Sequence, residues 1–319
     1  MLRLSEWTIH RRAARDLFPL RGRWHWQMPI RVDSANQFIV SNMVTLHQNP
    51  PKPFDTPESA EIRRISTPAG SEAWICANGG HVLSWRPAGE VEDRLFLSSK
   101  TDSKPGASIR GGIPVIFPQF GTLGELPKHG FARTRNWRWL KCEAAQACLE
   151  LTDDAQTREV WPHPFRLTLD VRLTDQSLEV SLSVENSGDQ QASFTLALHT
   201  YLHVDDIASV RLSGLGGCRY LDATAQMAES LQTEDALGFG PECDRIYIGA
   251  PEVLKLEDVK RRLALRQSGF KDTVVWNPGP EKAAALADMD AHAEQHMLCV
   301  EAAMAEHPVR LAAGASWRA

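Results

Sequence analysis

The chain lacks any apolar run long enough to span a bilayer. It also lacks the continuous apolar stretch near residue 1 that a secretory signal requires. Its six cysteines, at positions 76, 142, 148, 218, 243 and 299, form no CxxC pair and no zinc-like spacing. Scattered through apolar segments, they read as reduced, buried thiols in a cytoplasmic protein. There is no GxSxG elbow, no Walker phosphate loop and no GxGxxG opening a helix; the GLGG string at Gly214 to Gly217 is a turn signal. His292 and His296 sit four apart but without an HExxH motif. Together with His129, His199 and Glu301 they leave a metal site open but without support. A net charge of −5 on 319 residues gives no reason to expect nucleic acid or an anionic membrane as partner, so any anion site must be local.

Residues 1 to 42 differ from the rest, with seven arginines, no lysine and three acidic residues. An Arg-rich, acid-poor leader can be a transit peptide. The preferred expectation is an upstream extension or loosely packed tail, with Met28 or Met43 as a possible initiator. A Pro-rich linker, Asn49 to Ser59, follows. The expected division is therefore residues 1–59 as extension and linker and residues 60–319 as one main domain.

That domain reads as β. Phe165, Leu167, Leu169, Val171 and Leu173 alternate with polar residues, as do Leu178, Val180, Leu182 and Val184 after a turn at Thr174 to Gln176. This predicts a hairpin with one buried and one wet face. A third strand is expected over residues 192–204, and others over 73–77, 81–85, 147–151, 210–213, 273–276 and 297–300. The best helical signal is Pro280 to Asp288. Many short strands without βα alternation predict an all-β protein, an antiparallel sandwich.

Irregular backbone is concentrated between Ser108 and Trp137, where Arg110, Lys128, His129, Arg133 and Arg135 stand among many Gly and Pro residues. Cations converging on such a loop suit an anionic oxygen ligand, and an Arg fork suits phosphate. The interleaved Ile113, Val115, Ile116, Phe117 and Phe120 argue against a fully solvated basic loop. On the third strand, Phe194, Leu196 and Leu198 share one face, leaving His199 on the other with Thr195, Ala197 and Tyr201. His199 there is either a ligand-facing group or a hydrogen-bonded structural histidine. Glu301 follows the apolar run 297–300; if buried, its carboxyl becomes a better proton acceptor near neutral pH. If exposed, it is only a strand-end glutamate. Asp244 and Asp272 are each either a ligand-binding carboxylate or a turn cap. The ten tryptophans include a conceivable sugar-stacking platform, though most read as packing.

Taken in order, GGHVLSW, LFLS, SIRGGIPVIFPQFG, LPKHGFAR, LALHTYLHV, SGLGG, DRIY, DTVVWNPGP and MLCVEAA resemble the glucose-6-phosphate 1-epimerase family of the aldose 1-epimerase superfamily. The matching segments run from about Gly79 to Ala303. The resemblance implies a large antiparallel β-sandwich of the galactose-mutarotase type with few short helices and a sugar cleft on one sheet. It implies His199 as general acid and Glu301 as general base in α/β anomer exchange. It also implies substrate binding by Arg110, Lys128, His129, Arg133 and Asp244, with no metal and no cofactor. The substrate would be a small-molecule hexose 6-phosphate and the protein a monomer. Two rivals follow: an aldose 1-epimerase for unphosphorylated sugars, and a non-catalytic sugar-phosphate binding protein. Glu301 is followed by Ala-Ala where some relatives have Pro-Gly.

Overall fold

A computed structural model describes residues 1–6, 49–56 and 59–319. The predicted hairpin is present as Phe165–Leu173 and Ser177–Asn186. On its first strand Phe165, Leu167, Leu169 and Val171 are buried while Arg166 and Arg172 are exposed, as a period of two requires. The hairpin belongs to a ten-stranded sheet that also contains Arg138–Glu143, Gln146–Thr152, Arg262–Gln267 and Val253–Glu257. An eight-stranded sheet packs against it. Its order runs Ala228–Leu231, Arg219–Asp222, Cys243–Ile248, Asp272–Asn277, Met297–Leu311, Ala192–Leu198, Val115–Ile116. A smaller three-stranded sheet is formed by Ile62–Ser66, Glu72–Cys76 and His81–Arg86. Strand pairing within these sheets is antiparallel, and the fold is the expected β-sandwich.

The main core lies between the two large sheets. Leu167, Leu169, Leu182 and Leu265 enter it from one side, and Phe194, Leu196, Leu198, Val275, Val300 and Ala302 from the other. Because strand side chains alternate, the neighbours of the second group point away from this core. Ala197, Val274 and Ala303 form one small cluster on the far face; Trp276, Tyr201 and Cys299 belong to another. That far face carries the site described below.

Several expectations are corrected. Residues 2–6 are not a loose tail. Leu2–Glu6 is a strand inside the ten-stranded sheet, pairing with Ser177–Asn186 on one side and Arg262–Gln267 on the other. Its own alternation explains this: Leu2 and Leu4 are buried, while Arg3 reaches Glu179 at 3.3 Å and Glu6 meets Arg94 at 2.5 Å. Phe54 of the Pro-rich segment is also buried, against Trp74, Leu83 and Ile109. Residues 7–48 of the expected extension lie outside the described residues.

The third strand is not continuous to residue 204. It ends at Leu198 and resumes as Tyr201–His203, because the Thr200 amide turns back to the Leu198 carbonyl at 2.9 Å instead of pairing across the sheet. The helix near residue 280 spans Gly279–Ala285 and stops short of Asp288. A short helix at Ala155–Val160, capped by Asp154 and Thr157, was not anticipated. All six cysteines are unpaired, but Cys142, Cys148 and Cys218 are only half-buried.

The placement of the Leu2–Glu6 strand carries a stability prediction. Leu4→Ala removes a side chain with no exposed surface and should cost about 2–5 kcal/mol in denaturant unfolding. A change below about 0.5 kcal/mol would mean that this strand is not part of the cooperative core.

Candidate active site

On the far face of the eight-stranded sheet, cross-strand register sets out the site in two rows. Asp244 pairs with Trp276, Trp276 with Cys299 and Cys299 with Tyr201. In the next row Ile246 pairs with Val274 and Val274 with Glu301. Beyond Glu301 the chain breaks at His199 and Thr200, and the Val300 amide donates to the Thr200 carbonyl at 3.0 Å. The register on either side, Leu198 with Ala302 and Tyr201 with Cys299, sets His199 beside Glu301. His199 Nδ1 lies 3.3 Å from Glu301 Oε1.

These two groups are deeply buried, His199 being 8% exposed and Glu301 1%. At 3.3 Å they are close enough for an ion pair, but His199 Nδ1 and Glu301 Oε2 have no hydrogen-bond partner. Glu301 is thus not a wet strand-end glutamate, and His199 Nδ1 lacks the hydrogen bond that a structural histidine usually makes. Burial, reinforced by Asp244, pushes the Glu301 carboxyl well above the usual carboxylate range. Burial, then the nearby His129, Arg133 and Arg110, holds His199 well below the usual imidazole range.

The His199 ring is fixed on three sides. Tyr201 stacks on it with centroids 4.8 Å apart and planes 8° from parallel. Trp276 meets it edge-on at 6.1 Å and His129 at 5.6 Å. His129 has a left-handed backbone (φ 65°), and its Nδ1 accepts from the Gly121 amide at 3.3 Å. The loop holding it depends on Gly130, where an added Cβ would stand 2.1 Å from the Phe117 carbonyl oxygen. Gly112 is equally constrained, by Val82 and by buried His81.

A cavity of about 230 Å³ opens above the pair. Its lining brings together Arg110, Lys128, His129, His199, Asp244 and Glu301, with Trp276 and Phe120 as aromatic walls. Arg133, the remaining candidate, is not on the lining. Its guanidinium is near enough to depress His129 and His199; its Nε is buried without a partner, and its Nη2 donates to the Lys128 carbonyl at 3.4 Å. Asp272 is a brace: Oδ2 accepts from the Ala305 and Glu306 amides at 2.9 and 3.0 Å. His296 is occupied elsewhere, against the Asp205 carbonyl at 2.9 Å.

Three neighbours of the site have no role in the sequence reading, although it places Tyr201 on the His199 face. Asp288 grips Arg110 through both its oxygens, at 3.1–3.2 Å. The Tyr201 hydroxyl accepts from Arg110 Nη1 at 3.1 Å. Cys299 lies beside the acid–base pair. Only Cys299 and Tyr201 had a usable signal, since a period of two puts them on the faces of Glu301 and His199. Asp288 sits on an irregular segment and offered none.

Fold and cavity together define a mutarotase-type sandwich with a buried His–Glu pair on one sheet. A profile described as aldose 1-epimerase matches residues 62–319, and the chain belongs to that family. It is 37% identical over 293 residues to a protein of Cenchrus ciliaris named "Putative glucose-6-phosphate 1-epimerase", covering 84% of this chain and 87% of the relative. A protein of the same name from Escherichia coli K12 is 37% identical over 243 residues, covering 73% and 80%. Among solved structures, that of "a putative mutarotase (YeaD)" from Salmonella typhimurium aligns with a TM-score of 0.75 at 30% identity, covering 83% of this chain and 90% of that one. A galactose mutarotase-like protein from Lactobacillus casei, at 15% identity and a TM-score of 0.66, shares the fold.

Two buried histidines, His129 of the site and His81 beneath Gly112, are expected to make the protein acid-labile in a defined window. Burial first, with nearby cations in support, depresses His129 from 6.5 to about 3; burial depresses His81 to about 4. Below pH 6.5 the unfolded chain therefore binds protons that the folded protein refuses, and stability falls as pH drops toward these values. His129→Asn, which tolerates the left-handed backbone, should flatten part of the decline between pH 6.5 and 3. Urea unfolding of both proteins across that range checks it; superimposable profiles would refute the assignment.

Proposed function

We propose that this protein interconverts the α and β anomers of a hexose 6-phosphate, glucose 6-phosphate first, by acid–base opening and closing of the sugar ring. The observation that carries this reading is the His199–Glu301 pair, 3.3 Å apart at the floor of a cavity edged by cations. Binding alone would not require a matched acid and base. Glu301 takes the proton of the C1 hydroxyl while His199 gives a proton to the ring oxygen. The C1–O5 bond breaks, the open-chain aldehyde turns about C1–C2, and closure on the other face returns both protons. Roles reverse in the other direction. Neutral overall, the pair holds one mobile proton in the free site, on Glu301 by the directions above. Its passage to His199 leaves the base and acid that the reaction needs.

Asp244 and His129 stand where they can hold ring hydroxyls, and Trp276 offers an apolar wall. Phosphate specificity rests on Lys128 and Arg133. Lys128 is exposed at the rim, and Arg133 has no ion-pair partner among the described residues, which suits a dianion. The relatives named as glucose-6-phosphate 1-epimerases support the same substrate. One observation favours the rival aldose reading: the fork of Arg110 is already occupied by Asp288. The cytoplasmic assignment rests on the unpaired thiols; no helix of the described residues is long and apolar enough to cross a membrane.

Two substitutions test the proposal, both read by two-dimensional NMR exchange of anomer signals. Glu301→Gln should lower glucose 6-phosphate exchange by about 10²-fold or more. It should also raise stability at pH 7, because a carboxyl raised in the folded state contributes stability below about 4.5 that is lost as pH rises. Undiminished exchange in that variant would sink the mechanism. Arg133→Ala should cost about 10- to 100-fold in kcat/KM for glucose 6-phosphate, the worth of one charged hydrogen bond, while leaving glucose within a few-fold. Equal losses on the two sugars would favour the aldose reading.

A further inference from the structure

We propose that His199, Cys299 and Glu301 form a binding site for a thiophilic divalent cation, Zn²⁺ above all, and that its occupancy silences the acid–base pair. The second half rests on the functional reading above; the binding does not.

Cys299 and Glu301 are two apart on the Met297–Leu311 strand, so both project from the face that carries the cavity. Cys299 pairs directly with Tyr201, whose ring stacks on His199. One donor atom from each of the three residues lies within 4.8 Å of the others, and His199 Nδ1 and Glu301 Oε1 are already at 3.3 Å. Zn–N, Zn–O and Zn–S bonds of about 2.0–2.3 Å in a tetrahedron place ligand atoms roughly 3.3–3.7 Å apart. Small side-chain rotations close the difference. The second, independent sign is that His199 Nδ1 and Glu301 Oε2 are buried with no hydrogen-bond partner. Buried acceptors left open are unusual, and each can ligate.

The donor set, N, S and O, is one that zinc accepts, with three protein ligands and a fourth position toward the cavity. The charge balances. Binding expels the thiol proton of Cys299 and the carboxyl proton of Glu301 to solvent, leaving −2 to meet the ion. Tyr201, His129 and Asp244 face the trio, as do Arg110 and Arg133, whose charge weakens cation binding. Both proton release and this repulsion make occupancy stronger at higher pH. With the ion on Glu301 and His199, neither can exchange a proton with a sugar.

Cobalt(II) titration of the full chain, with the thiols kept reduced, tests binding without reference to catalysis. One equivalent should produce a thiolate-to-cobalt charge-transfer band in the near ultraviolet, lost in Cys299→Ala and displaced by Zn²⁺. Zn²⁺ should inhibit glucose 6-phosphate exchange in the native protein, and Cys299→Ala should need at least tenfold more. Cys299→Ser, close in size to the native thiol, serves if the alanine variant does not fold. No thiolate band, or a band that persists in the Cys299 variants, would overturn the site. A band at Cys299 with exchange unaffected by Zn²⁺ would overturn the silencing while leaving the cation site standing. A band in a protein with no epimerase activity would uphold the site and refute the functional reading on its own.

Discussion

Burial of the Glu301 carboxyl sets the terms for the rest of the site. A lone charge there would cost several kcal/mol, so the group keeps its proton unless something nearby makes ionisation worthwhile. Its place in the middle of a fifteen-residue strand is tolerable because the alternate residues, Val300, Ala302 and Met304, are sealed in the main core. One strand thus supplies both the packing that holds the sheet and the buried carboxyl that burdens it. Imposing neutrality on His199 by the same burial completes a pair in which the position of one proton matters more than net charge.

The cations around the cavity are not equivalent. Arg110 is neutralised by Asp288 and donates a further hydrogen bond to the Tyr201 hydroxyl, so it supports the ring that stacks on His199. Arg133 is close behind the rim with its Nε unsatisfied, and Lys128 stands in water. The first is tied within the fold, whereas the other two have no ion-pair partner among the described residues. Asp288 and Asp290 come from the segment after the Gly279–Ala285 helix, and Asp290 is anchored by Ser98 and Ser99 at 2.6–3.2 Å. The segment that neutralises Arg110 is therefore tied to the neighbouring stretch, whose Ser98 amide donates to the Arg110 carbonyl at 3.0 Å.

The sandwich was legible because alternation is a local property: Phe165–Leu173 and Ser177–Asn186 declare themselves by their own residues. Which face His199 takes was legible for the same reason, through the period of two, while Glu301 was left open between a buried and an exposed carboxylate. Their mutual distance was not legible, because it depends on the register in which Met297–Leu311 pairs with Ala192–Leu198 and Tyr201–His203, a contact between segments far apart in the chain. The Asp288–Arg110 grip escaped likewise, since irregular backbone has no period to read. Leu2–Glu6 was hidden by brevity: five residues with two leucines are too few to stand out from an Arg-rich surrounding.

The position of that short strand has a consequence for how the chain reaches its native state. Leu2 faces Val180 on one side and Gln267 on the other. The ten-stranded sheet therefore cannot be joined across its middle until stretches far apart in the chain have met. Such long-range closure makes folding slow and leaves strand edges uncovered meanwhile. During synthesis, the leucines near residue 1 would have to wait for the final third of the chain before finding their second neighbour. The protein should accordingly depend on chaperones that shield nascent β-edges more than its settled fold suggests.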